Sequence, residues 1–382
     1  VKPPFWRDDR FWNIALQAIA GLLLLSLIAF LLGNLQQNLS VSGLQLTFDW
    51  LDNEAGLNIG ETILPYSPAD DYARALALGF LNTLRVVLVA LVAATTLGVL
   101  VGVASFSDNW LLQRLNLLYV EVIRNIPLLL QLVFWYFAIF LQFPRPETPL
   151  SLGQWAFFSK TGVFLPLPDT PWRVAVCLGA IALLVFVALW AAQSRTQAIV
   201  ERGQSGRRYA LIGWLALLLI GLLLLPGLGW KPPVPIGGGK IQGGLRLSLE
   251  FAAILTALTI YSGAFIAEVV RGGILAVSKG QWEAAKSLGL KQGQTLQLVA
   301  IPQALQVIVP SLNSQYINIA KNSSLAIAVG YPDMYSVAST TLNQTGRPIE
   351  VFLILMATYL GLDLVISLIM NQVNRLVQLR ER

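Results

Sequence analysis

The chain has 382 residues, of which 55% are hydrophobic and only 12% charged, with a formal net charge of +6, no histidine and one cysteine. Soluble domains carry about a quarter charged residues, so this composition excludes one and describes a polytopic membrane protein. Without histidine there is no imidazole base, no His metal site and no Ser-His-Asp triad, and the lone Cys177 can form no internal disulfide.

Eight apolar segments are long enough to cross a bilayer, at roughly 12–33, 77–106, 115–143, 172–191, 209–228, 246–270, 301–330 and 350–374. Lys2, Arg7 and Arg10 precede the first, as in a signal peptide. That run is long, however, and Gly33-Asn34-Leu35-Gln36 follows it in place of a small-x-small cleavage site, so it reads as a retained first span. With the N-terminus placed inside, the inner segments gather fifteen lysines and arginines and the outer ones six. This is the bias expected of cytoplasmic loops, and it puts both termini in the cytoplasm. The basic residues flank spans, so the net charge does not describe a nucleic-acid surface.

The loop 34–76 holds Asp49, Asp52, Glu54, Glu61, Asp70 and Asp71 against one arginine. Its amphipathic pieces predict short interfacial helices with Trp50 at headgroup depth; a mobile loop is the alternative. Proline-rich residues 144–171 and 229–245 read as irregular outer connections. Gly239-Lys240 is not a phosphate loop: Val234 stands where its first glycine is needed and Ile241 where Ser or Thr is. The chain therefore has no nucleotide site of its own.

Charged and polar residues inside spans cost about 2.5–3.5 kcal/mol each at mid-bilayer, so each calls for a reason. Arg124 and Asn125 precede Pro127 in the third span, where a proline frees a carbonyl and breaks the helix. Broken helices line substrate cavities, and Arg124 is the candidate for a substrate carboxylate, with Gln131 one turn beyond. The structural alternative for Arg124 is an ion pair with Glu121. Glu268 is the candidate for a substrate ammonium; its structural alternative is Arg271, three residues on. Lys321, Asn322 and Ser323 form a polar patch in the seventh span, for substrate contact or helix–helix hydrogen bonds. Asp363 has no obvious intrahelical partner.

Residues 283–302, EAAKSLGLKQGQTLQLVAIP, form a polar helix signal, a glycine and a spacer ending in proline. With Glu283, Ala284, Ala285, Gly289, Val299, Ile301 and Pro302 in register, the segment resembles the EAA loop of importer-type ABC permeases. Gly79-Phe80-Leu81-Asn82-Thr83-Leu84, Glu121-Val122-Ile123-Arg124-Asn125-Ile126-Pro127, Tyr261–Ile274 and Lys321-Asn322-Ser323-Ser324-Leu325 extend the likeness to polar amino acid ABC importers. The opening PPFWRDDR and the acidic loop resemble the larger general L-amino acid permeases.

The resemblance implies an all-α, type I importer transmembrane domain: a five-helix core plus three added spans. On that reading 1–76 is a first helix and acidic periplasmic loop, and 77–143 begins the permease core. Residues 144–245 are an insertion with two extra helices, and 246–382 complete the core with the coupling loop 271–302. The resemblance further implies a non-catalytic subunit that transports polar L-amino acids. Its implied partners are a homologous permease in a heterodimer, a periplasmic binding protein, the bilayer, and a cytoplasmic ATPase dimer holding ATP and magnesium. Gly280, Glu283, Ala284, Ala285, Gly289 and Pro302 would carry the coupling, with Gly289 as a left-handed helix cap and the two alanines allowing close approach to the ATPase. An ion-gradient transporter is the rival; it would need internal repeats, and none is evident. A non-transporting membrane subunit is the second, and it predicts no polar cavity around Arg124.

Overall fold

The computed structural model describes residues 9–41, 46–107, 109–168, 230–236, 240–290 and 292–377, with Gly238 and scattered positions between 170 and 219. Helices dominate. α1 is Asp9–Val41, α2 Tyr72–Ala104, α3 Trp110–Asn125 and α4 Leu128–Val133, which runs on through a π turn to Ile139 and a 3-10 turn to Gln142. α5 is Leu249–Leu275, α6 Lys279–Ser287, α7 Ile301–Asn322, α8 Met334–Thr345 and α9 Pro348–Val377. Among the described residues, four helices are long and apolar enough to cross a membrane, and five with the broken pair of α3 and α4 counted as one. α1 adds a shorter apolar stretch, Ala15–Leu31. The spans predicted at 172–191 and 209–228 fall largely outside the described residues.

The core is built on α2 against α5. Both helices present small residues where they touch: Ala90, Ala94, Ala253 and Ala257 are fully buried. At Gly98 a β-carbon would stand 2.5 Å from Ile266 Cγ2 and 2.9 Å from the Gly263 carbonyl. At Gly102 one would stand 2.8 Å from the Ala267 carbonyl. Lipid tails give helices no hydrophobic drive to associate, so backbone-close packing of small residues must supply the contact.

The acidic loop before α2 departs from expectation. Among the described residues between α1 and α2, the helical piece is a 3-10 turn, Asp49–Asp52, and Trp50 is buried edge-on against Tyr72, with ring centroids 5.6 Å apart. Trp50 is therefore covered by protein and does not present its ring to lipid headgroups. It joins Ala55, Leu57 and Ile59 in a core shared with α2, α8 and α9. Glu61 then ties the loop to two helices. It accepts from Arg85 Nη1 at 2.5 Å and from the Ser248 hydroxyl at the start of α5. Asn82 Nδ2 donates to the carbonyls of Glu61 and Pro332, each at 2.9 Å.

The all-α expectation is also corrected. β1 (Leu150–Leu152), β2 (Ala156–Ser159), β3 (Gly162–Leu165) and β4 (Leu245–Leu247) form an antiparallel sheet in that order. The flanking prolines drew attention away from two short apolar runs joined by Lys160-Thr161. Gly162 lies at φ +141°, and a β-carbon there would come 2.6 Å from the Leu247 carbonyl, so only glycine fits. Residues 229–245 contribute two further pairings, Trp230–Lys231 with Leu167–Pro168 and Val234–Pro235 with Ile241–Gln242.

α8 was not predicted. It begins at Asp333, whose side chain accepts from the Ser336 N–H at 2.8 Å, and ends at Gly346 with φ +65°. Burial pushes the Asp333 carboxyl up to about 7, its hydrogen bonds acting the other way. The folded chain holds a proton here that an unfolded carboxylate, at about 3.9, has released. The stabilising contribution is complete below that lower value and is lost as pH rises through about 7. Asp333→Asn keeps a capping oxygen. It is expected to flatten the fall in melting temperature of the purified chain between about pH 4 and pH 7. An equal slope in both proteins would show that Asp333 does not set it.

Candidate translocation site

Pro127 decides the local geometry. It has no N–H to donate to the Ile123 carbonyl, and α3 and α4 meet there at 104°. Gln131, from the first turns of α4, repairs the break: its side-chain amide Nε2 donates to the carbonyls of Ile123 and Ile126, each at 2.9 Å. Gln131 is buried and lies away from the cavity that Arg124 lines. The predicted break is present, and the carbonyls it frees claim the glutamine.

On the α3 side of the break, α3 lies beside α2 and α5 around a cavity of about 400 Å³. Arg124, Asn125 and Glu121 come from α3, Gly102 and Ser105 from α2, and Phe265, Glu268 and Arg271 from α5. Glu268 sits between two guanidinium groups. Arg271 holds it through Nη2 at 2.5 Å and Nε at 3.1 Å. Arg124 approaches at 4.0 Å and lies over the Phe265 ring, 5.1 Å from its centroid.

Arg124 and Glu268 thus converge, as an amino acid zwitterion would require. Arg271, named from the sequence only as a structural partner, occupies Glu268 more closely than Arg124 does. The two contacts differ in kind. The Glu268–Arg271 contact is a two-nitrogen, charge-assisted pair. The Arg124 contact is beyond hydrogen-bond range, so its donor fork can take up another carboxylate without breaking a hydrogen bond to Glu268. Asn125 donates to the Glu121 carbonyl at 2.7 Å, one helical turn back. Asn116 also lines the cavity and donates to the Val101 carbonyl at 3.2 Å. Sequence reading missed it, although a lone asparagine in an apolar run was the available signal.

Lys321, Asn322 and Ser323 do not line this cavity. Lys321 pairs with Asp363 on α9 at 3.6 Å, which supplies the partner that the sequence left open. Ser323 is buried and donates back to the Ala320 carbonyl at 2.7 Å, one turn earlier.

The coupling segment folds as its glycine dictates. α6 ends at Gly289 with φ +75°. The Gly289 N–H donates to the Lys286 carbonyl at 2.9 Å and the Leu290 N–H to the Ala285 carbonyl at 3.1 Å, the two bonds of a Schellman cap. Gly280, Glu283 and Ala284 are exposed. Ala285, expected with Ala284 to allow close approach to the ATPase, is only 2% exposed and faces the body of the chain. Its small side chain seats α6 on the body of the chain. Pro302 lies at the start of α7, directly after the π turn Leu296–Ala300 that leads into it without a break.

One broken span beside a charged cavity, with the exposed helix α6, is an arrangement that suits a membrane transport subunit. The family described as "Binding-protein-dependent transport system inner membrane component" matches residues 209–380. The putative amino-acid ABC transporter permease YhdX of Escherichia coli K12 is 41% identical over 99% of this chain and 96% of its own length. The permease BztB of a glutamate/glutamine/aspartate/asparagine transport system in Rhodobacter capsulatus is 40% identical, covering 98% and 96%. The general L-amino acid permease AapQ of Rhizobium johnstonii is 37% identical, covering 98% and 94%.

The chain belongs to the amino-acid ABC transporter permeases. It is a multi-pass inner-membrane transport subunit and not an enzyme.

Proposed function

We propose that this permease carries polar L-amino acids, acidic and neutral, past the cavity at the α3–α4 break. Arg124 takes the substrate carboxylate, and Glu268 takes the ammonium as Arg271 yields part of its hold. Asn125 and Glu121 offer further polar contacts at the rim. The observation that carries this reading is the unequal grip on Glu268: tight from Arg271, loose from Arg124.

In this reading both termini face the cytoplasm, and the acidic loop and the sheet face the periplasm, where a binding protein delivers substrate. A homologous permease, distinct in sequence, completes the path. The Lys321–Asp363 pair supports that partner. Lys321 lies in the apolar segment Gly293–Val329, yet its side chain is 60% exposed in the isolated chain. A cation on a lipid face is costly, so protein or water must cover it. A separate ATPase dimer, with ATP and magnesium, docks on the exposed face of α6 and drives the cycle.

Arg124→Gln is expected to lower uptake of labelled glutamate and glutamine about 10- to 100-fold, the loss of one charge-assisted hydrogen-bonding group. The amount of chain in the membrane should not change. Arg124→Lys, a cation without the fork, should fall between. Uptake by Arg124→Gln equal to that of the unsubstituted chain would remove Arg124 from the substrate path.

A further inference from the structure

We propose that the β1 edge of the small sheet is seated in the lipid headgroup layer, as a membrane anchor for the module beyond the broken span. Phe134 and Phe137, on the half-span that follows α4, are exposed among apolar neighbours. Further along the same half-span, aromatic rings lead onto the sheet: Phe140 and Phe143 lie 5.5 Å apart between ring centroids, and Phe143 and Phe158 of β2 lie 5.6 Å apart. Phe158 faces Leu150 across the ladder, and Leu152 faces Ala156. Directly paired residues share a face of a sheet, so Leu150 and Leu152 extend the same apolar surface outward. They are 60% and 71% exposed, and Trp155 in the turn after them is half-exposed.

Two features select lipid over a protein partner. β1 is three residues long, preceded by Pro149 and followed by Gly153 at φ +61°. A strand added to it would gain only a few backbone hydrogen bonds, too few for pairing to carry recognition. The same edge leaves backbone groups without partners in the sheet, and hydrocarbon cannot satisfy them. The headgroup layer can. It is also the depth that tryptophan prefers, and Arg145 is exposed nearby for a lipid phosphate. The leaflet is the outer one if the orientation proposed above holds, but the lipid seat does not depend on it.

The test uses the full chain in nanodiscs. Cys177→Ser removes the native thiol. Leu152→Cys and, separately, Leu150→Cys then carry an environment-sensitive fluorophore, with Ser151→Cys on the opposite face as the comparison. Both leucine positions are expected to give blue-shifted emission. Lipids with a nitroxide near the headgroup should quench it at least about twofold more than lipids with the nitroxide at the chain end. Ser151 should be quenched less by both. Water-like emission and no lipid quenching at both leucine positions would overturn the proposal. So would a blue shift that develops only when the periplasmic binding protein is added, since the surface would then belong to that protein. Nanodiscs present the same lipid to both faces, so a wrong orientation leaves the result unchanged.

Discussion

Gly98→Leu is expected to remove most of the folded chain from the membrane. A β-carbon alone would stand 2.5 Å from Ile266 Cγ2 and 2.9 Å from the Gly263 carbonyl oxygen. The isoleucine can rotate; the carbonyl belongs to the backbone of α5 and moves only if the helix does. Overpacking a close contact costs about 1–3 kcal/mol when neighbours can adjust, and a full leucine here must part α2 from α5 along their inner halves. Those halves also wall the cavity, through Gly102 on α2 and Phe265 and Glu268 on α5. The variant that survives should therefore lose uptake as well. Gly21→Leu is the matched comparison, because no atom outside its own helix lies within 4 Å of a β-carbon at that position. Fluorescence-detected size exclusion of the two variants reads the outcome directly. An undisturbed Gly98→Leu profile would mean that the α2–α5 contact does not hold the core.

How much of this was legible beforehand follows from the range of each signal. The Pro127 break and the Gly289 cap rest on the covalent chemistry of one residue, and both were readable. A missing N–H frees a carbonyl wherever the helix lies, and a left-handed backbone selects glycine in any context. The convergence of Arg124 with Glu268 was named as a requirement but not deducible, because it depends on the packing of α3 against α5. The partners of Gln131 were not deducible for a related reason: a buried amide serves the nearest unpaired carbonyls, and these are set by the bend. The same limit hid the burial of Ala285 and of Trp50. Each has a side chain compatible with either surface, and tertiary contact chose the inner one. The sheet was missed because prolines at its borders outweighed short runs, one of whose pairings spans 84 residues, from Val163 to Leu247.

Gly289→Val is expected to abolish uptake while leaving the chain in the membrane. Nothing lies within 4 Å of a β-carbon built at this position, so sterics with the rest of the protein are not the cause. The cost comes from φ +75°, a backbone state that burdens an L-residue by about 1–2 kcal/mol, with a β-branched one at the upper end. Valine would move that residue out of the left-handed region and release the cap's two bonds, from Gly289 to the Lys286 carbonyl and from Leu290 to the Ala285 carbonyl. α6 would then lose its fixed exit, and Ala285 its seat. Glu283 and Ala284 would turn relative to the spans. Asn tolerates the left-handed region through its own side chain, so Gly289→Asn should retain most uptake. The contrast separates backbone geometry from side-chain bulk, which a single substitution cannot do. Uptake and ATP hydrolysis would be measured on the same purified assembly. Loss of both in Gly289→Val, with both retained in Gly289→Asn, is the pattern expected if α6 transmits ATPase closure through a rigid cap. Equal activity in the two variants would show that the cap's geometry is not what carries the coupling.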